Sequence, residues 1–161
     1  LTGGQFDGEG FVAGLDGAGY AVAGRAVFMA GAGGAAAGLA FAVARHGATR
    51  LTIHNRTASK AEDLAARVRA AYPGCDTRAG GADPSGHDVV VNATSLGMHA
   101  GDALPLDVTR LAPPMLAAEV IMAPEVTPFL AAAAARGCAT HGGKPMLAAQ
   151  VALLARFMGA G

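Results

Sequence analysis

The segment Gly31-Ala32-Gly33-Gly34-Ala35-Ala36 constrains this chain more than any other. It follows a short apolar run, Ala26-Val27-Phe28-Met29, and opens a proline-free stretch of small apolar residues from Gly33 to about His46. That is the pattern of a buried strand, a tight glycine turn and a helix packed closely on a sheet. Glycines there bring backbone N–H groups up to a phosphate, where a Cβ would hold them off, and the helix start adds positive potential. Ala36, in the third small position, permits close helix–sheet packing. The turn predicts a dinucleotide phosphate site at Gly31, Ala32, Gly33, Gly34 and Ala35. A plain tight turn competes with that reading in a chain of 24 glycines.

Further strand–helix units extend the pattern. Leu51-Thr52-Ile53-His54 reads as a second strand. The helix after it runs from about Ser59 to Tyr72, with Ala61, Leu64, Ala65, Val68 and Ala71 on one face and Pro73-Gly74 as its stop. Asp88-Val89-Val90-Val91 and Ala118-Glu119-Val120-Ile121 read as buried strands, and Val126–Arg136 and Pro145–Met158 as helices. The alternation predicts an α/β, Rossmann-like fold: a doubly wound, mainly parallel sheet with helices on both faces.

The end of the second strand bears on which dinucleotide is bound. An NAD site places an Asp or Glu there for the adenosine ribose. Here the residues are His54-Asn55-Arg56-Thr57, with Lys60 one helical turn on. A carboxylate would repel a 2′-phosphate, whereas Arg56 grips one in a two-point contact and Lys60 adds a point charge. Asn55 and Thr57 add neutral hydrogen bonds. Cations at a helix start are otherwise unfavourable, so a bound anion explains them better than two solvated charges do. The expected cofactor is NADP.

Composition removes other classes. Lys+Arg and Asp+Glu both total 12 in 161 residues, without the basic excess of a nucleic-acid binder. The 52% hydrophobic content excludes wholesale disorder. The apolar stretch Ala117–Ala135 is broken by Glu119, Pro124, Glu125 and Pro128, so no membrane segment is expected. Cys75 and Cys138 make no disulfide framework and fit a reducing, cytoplasmic setting. The five histidines show no metal spacing and read as surface or loop residues. Leu1 opens the chain without initiator methionine or signal segment, so a longer protein is expected.

Six ordered segments carry a family resemblance: Phe6-Asp7-Gly8-Glu9-Gly10-Phe11, the glycine loop, Asn55-Arg56-Thr57-Ala58-Ser59-Lys60, Asn92-Ala93-Thr94-Ser95-Leu96-Gly97-Met98, Thr127-Pro128-Phe129-Leu130 and Met146-Leu147-Ala148-Ala149-Gln150. Over nearly its whole length the chain resembles the C-terminal, NADP-binding half of the shikimate dehydrogenase family, with its quinate/shikimate members. The resemblance implies hydride transfer between NADP(H) and a shikimate-like cyclic hydroxy acid, the 3-dehydroshikimate/shikimate pair. It implies that Asp7 contacts substrate and partners a catalytic lysine, and that Gln150 contacts substrate. Gly31–Ala35 become the pyrophosphate loop, and Asn55, Arg56, Thr57 and Lys60 the 2′-phosphate clamp. Thr94, Ser95 and Met98 line the nicotinamide side, and the backbone at Val120 and Gly143 meets the cofactor. Residues 1–22 become a hinge and substrate-side helix, 23–144 the NADP-binding domain, and 145–161 a helix packing toward a substrate domain. Neither Lys60 nor Lys144 matches the catalytic lysine, so this part alone is expected to be inactive. No metal, nucleic acid or membrane is implied, and a homodimer is allowed.

Read without the resemblance, Asp7-Gly8 is a turn signal and Gln150 a plain helix-surface residue. Departures from the family pattern are Gln5-Phe6 for Asn-Thr, Met122 for a tyrosine, and Lys144-Pro145 before the Met-Leu pair, and they suggest a substrate other than shikimate. Two other classes compete. A non-catalytic NADP(H)-binding module would have no use for Asp7 and Gln150. An S-adenosylmethionine methyltransferase would want an acid where Asn55-Arg56-Thr57 stands.

Overall fold

The computed structural model describes residues 3–159, with side chains from Phe6 onward. Six strands, β1 (Ala26–Ala30), β2 (Arg50–His54), β3 (Asp76–Ala79), β4 (Val89–Asn92), β5 (Leu116–Glu119) and β6 (Ala139–His141), form one sheet in the order β3-β2-β1-β4-β5-β6. All five pairings are parallel. The helices are α1 (Gly3–Gly17), α2 (Gly34–Arg45), α3 (Ala58–Ala71), α4 (Pro128–Ala135) and α5 (Lys144–Phe157). This is the doubly wound arrangement expected from the strand–helix alternation, and the chain order reverses between β1 and β4. A crevice opens there at the carboxyl ends of the strands.

Successive residues of a strand point to opposite faces, and the cores follow that period. Val27, Met29, Leu51, Ile53, Val89 and Val91 face α1, α2, α3 and α5. Phe28, Ala30, Val90 and Ala117 face α4 and the segment around Leu106 and Leu111. Strands buried on both faces read as continuous apolar runs, which is why β1, β2 and β4 were evident from sequence.

Three elements differ from expectation. β5 starts and ends two residues earlier than the apolar run suggested, which puts Glu119 inside the strand as its last residue. β3 and β6 were not anticipated, being four and three residues long. His141 lies buried in β6 rather than on the surface, and His54 and His87 are half-buried.

The turn read at Asp7-Gly8 is also corrected, since both residues lie within α1. Interior glycines cost a helix about 0.5–1 kcal/mol each. Burial of Phe11, Val12 and Leu15 contributes about 1.5–3 kcal/mol each and outweighs them. The glycines are also what lets α1 fit. A Cβ on Gly8 would stand 2.2 Å from the Gly38 carbonyl oxygen of α2, and one on Gly10 2.9 Å from that of Met146 in α5. Glu9 forms an ion pair with Arg45 and a hydrogen bond with His46 Nε2 (3.0 Å) at the end of α2, fixing the crossing from the other side.

Candidate functional site

At the end of β1 the chain turns at Gly31 with φ +121°, and its N–H donates to the His54 carbonyl at 2.7 Å. A Cβ there would stand 2.8 Å from the Ala93 carbonyl oxygen, so the turn after β1 and the segment after β4 touch backbone to backbone. Only glycine suits both the conformation and the approach. Gly33 and Gly34 are the reverse case: nothing lies within 4 Å of where their Cβ atoms would be. They border a cavity of about 360 Å³ together with Ala32, Ala35, Asn55, Lys60, Thr94 and Ser95.

Two helices begin at this cleft with exposed N–H groups. Gly33 caps α2 and Thr57 caps α3, neither with a side-chain hydrogen bond, and neither first turn holds an acid. By contrast, Thr127 caps α4 by accepting from the Leu130 N–H at 3.2 Å. Unsatisfied N–H groups and the helix dipole together attract anions. At the start of α3, Arg56 and Lys60 are exposed and make no side-chain hydrogen bond or ion pair among the described residues. Asn55 Nδ2 donates to the Thr57 carbonyl at 3.1 Å, closing the turn between them.

A second cavity, of about 610 Å³, continues from the first through Gly31, Asn55, Thr94 and Ser95. Arg56, Leu104 and Pro105 are among the residues that line it. The structure thus gathers the glycine loop, Asn55, Arg56, Lys60, Thr94 and Ser95 into one cleft. Thr57 and Met98 are exposed beside it without lining either cavity, Met98 being 50% exposed. Ala93, Leu104 and Pro105 belong to the lining and were not singled out from sequence, where nothing distinguishes them from ordinary loop residues. Asp102 shapes the next turn by accepting from the N–H groups of Gly97 (3.0 Å) and His99 (3.1 Å). These two donors hold its carboxyl below the usual carboxylate range.

Val120 and Gly143 meet each other rather than the cleft. A Cβ on Gly143 would stand 2.7 Å from the Val120 carbonyl oxygen and 2.5 Å from that of Ile121. Gly143 instead borders a third cavity, of about 500 Å³, with Met122, Glu125, Lys144 and Pro145. Three positions where the sequence departs from the expected pattern therefore share one surface. Lys144 Nζ is 3.2 Å from Glu125 Oε2 across it. Of the Gln5-Phe6 pair, the Gln5 side chain lies outside the described residues, and Phe6 packs edge-on to Phe157. Asp7 and Gln150 lie on α1 and α5, apart from these cavities, and Gln150 Nε2 donates to Asp7 Oδ1.

Residues 18–97 match the family described as Shikimate / quinate 5-dehydrogenase. The Shikimate dehydrogenase (NADP(+)) of Alkaliphilus metalliredigens is 34% identical over 162 residues, covering 95% of this chain and 57% of that protein. This chain belongs to the shikimate/quinate dehydrogenase family. Solved structures within reach of this family fold agree. The 5-ketofructose reductase of a Gluconobacter strain superposes with a TM-score of 0.83 at 38% identity, covering 90% of this chain and 54% of that one. Shikimate 5-dehydrogenase from Thermus thermophilus, solved with NADP(H) and shikimate, gives 0.82 at 32% identity, covering 94% and 55%. The chain spans little more than half the length of the relatives it matches. No described helix is long and apolar enough to cross a membrane.

Proposed function

We propose that this chain supplies the NADP(H)-binding half of an oxidoreductase acting on a shikimate-like cyclic hydroxy acid, the 3-dehydroshikimate/shikimate pair. The observation that carries the reading is the cleft bordered by two helix starts without side-chain cap hydrogen bonds. One has an open glycine cradle, and the other has Arg56 and Lys60 without partners among the described residues. A pyrophosphate fits the first, because side chains at Gly33 and Gly34 would occupy its place. A 2′-phosphate fits the second, where two cations and no acid meet it. Leu104-Pro105 and Arg56 offer an apolar wall and a planar cation to an adenine ring.

When bound, the nicotinamide supplies the hydride chemistry. The residues of the chain hold and orient. The N–H groups at the start of α2 take the pyrophosphate, Asn55 and Thr57 shape the turn that presents Arg56, and Thr94 and Ser95 wall the cleft. Met98 stands beside its nicotinamide end, and Val120 and Gly143 support the neighbouring turn by their backbone contact. Asp7, steadied by Gln150, orients and polarises an acid–base lysine from outside this chain. Lys60 stands at the phosphate end and Lys144 pairs with Glu125, which leaves neither for that proton transfer. Residues 1–22 and 145–161 are the substrate side of a cofactor domain at 23–144.

A second substrate reading, a polyhydroxy ketone, is supported by the 38% identity to the 5-ketofructose reductase. Met122 lies 41% exposed on the third cavity. Assaying the intact protein with NADP+ and shikimate or quinate, and with NADPH and 5-ketofructose, tests both. NADP-linked turnover with one of them, lost in Asp7→Asn, is expected. NADPH binding with turnover on none would leave a non-catalytic cofactor-binding module.

A further inference from the structure

A carboxylate is buried beside the cleft without touching it. Glu119 is fully buried and stands in register with Asn92 on the neighbouring strand. Its Oε1 accepts from the N–H groups of Val120 (3.0 Å) and Ile121 (3.2 Å). Its Oε2 accepts from Asn92 Nδ2 and Thr127 Oγ1, both at 3.0 Å. Among the described residues no lysine, arginine or histidine pairs with it. A buried carboxyl without a cation is costly, and four donors must be placed to hold it.

The hydrogens of this network have one consistent assignment. Thr127 Oγ1 accepts from the Leu130 N–H, so its own hydrogen goes to Glu119. Asn92 Nδ2 has a second hydrogen, donated to the Leu96 carbonyl at 2.9 Å. Asn92 Oδ1 accepts from the Thr94 N–H (3.0 Å) and hydroxyl (2.6 Å), and Thr94 Oγ1 accepts from the Leu96 N–H at 3.0 Å. Bonds therefore run without a break from Glu119 through Asn92 to Thr94 and Leu96, which wall the cleft.

We propose that Glu119 is a positioning residue for the cofactor cleft: it fixes the amide of Asn92, and through it the Thr94–Leu96 wall, without contacting ligand. Its binding consequence rests on the NADP(H) reading above, while its effect on the wall does not. Glutamine is the informative replacement. With its NH2 toward Val120 and Ile121 it would face two donors. Turned the other way, it would set NH2 against the NH2 of Asn92, so either orientation disturbs the Asn92 contact or the turn after β5.

Hydrogen exchange in the ligand-free full chain and fluorescence titration with NADPH test this together. Glu119→Gln is expected to speed exchange at the Thr94 and Leu96 amides about tenfold and to weaken NADPH by a similar factor, with β1 and β2 amides still protected. Asn92→Ala should do the same, and combining the two should add little, because one acts through the other. Protected Thr94 and Leu96 amides in a folded Glu119→Gln, or losses that add, would overturn the proposal, as would exchange rising equally in β1 and β2. If Glu119→Gln does not fold, unchanged exchange and NADPH affinity in Asn92→Ala would overturn it alone. Wild-type chain that fails to bind NADPH refutes the cofactor reading and leaves the exchange result to decide this one.

Discussion

Asp7 and Gln150 stand 143 positions apart and meet across the α1–α5 contact, where Gln150 Nε2 donates to Asp7 Oδ1. The glycines of α1 make the meeting possible, since Gly10 lies against the Gln150 side chain where any Cβ would collide with it. Two residues that look unrelated in sequence thus form one polar pair outside the cofactor cleft.

Asp7→Asn keeps an oxygen for Gln150 and removes the charge. NADPH affinity should stay within about twofold of wild type, while turnover of the intact protein falls by orders of magnitude. Titration and steady-state assay separate the two effects. A large loss of cofactor affinity would instead assign Asp7 to the structure of the cleft.

Arg56→Ala removes one of the two cations at the start of α3 that have no side-chain partner among the described residues. It should weaken NADPH by about 1.5–3 kcal/mol and NADH hardly at all, as expected for a lost charged hydrogen-bond pair. Equal losses for both nucleotides would remove the clamp assignment.

The glycine loop should divide into two kinds of position. Gly34→Val enters open space, so NADPH affinity should fall at least about tenfold with little change in Tm. Gly31→Ala meets the Ala93 carbonyl at a positive φ and should cost about 1–3 kcal/mol of stability. Thermal melts beside NADPH titrations would show both. A Gly34→Val chain that binds normally would contradict the cradle.

His141 is buried, and burial pushes its pKa below the ordinary 6.5. The folded protein holds it neutral, so its contribution is present above that ordinary value and is lost as pH falls through the lower folded one. Urea unfolding between about pH 7.5 and 5 should show stability falling with acid, and His141→Phe should flatten that slope. An unchanged slope would show that other groups set it.

The parts of this fold that could be read from sequence are those whose burial imposes a pattern. β1, the glycine loop and α2 combine an apolar run with a small-residue helix, and α3 shows its buried face as Ala61, Leu64, Ala65 and Val68. β3 was hidden because Asp76-Thr77-Arg78-Ala79 is an edge strand with polar residues, and β6 because three residues show no period. α1 runs against helix propensity, and its glycines have meaning only once α2 and α5 lie beside them. The cleft's polar residues were legible through the turn after β1 and the missing acid after β2. Glu119 was not. Its one signal is a lone carboxylate closing an apolar run, and its role depends on a register with Asn92 that no local sequence reveals.

Isothermal titration of the chain with NADPH, in parallel with NADH, tests the central claim most directly. Binding at one site, with NADPH at least about tenfold tighter than NADH, is the expected result. Absent binding, or equal affinities for the two nucleotides, would contradict it.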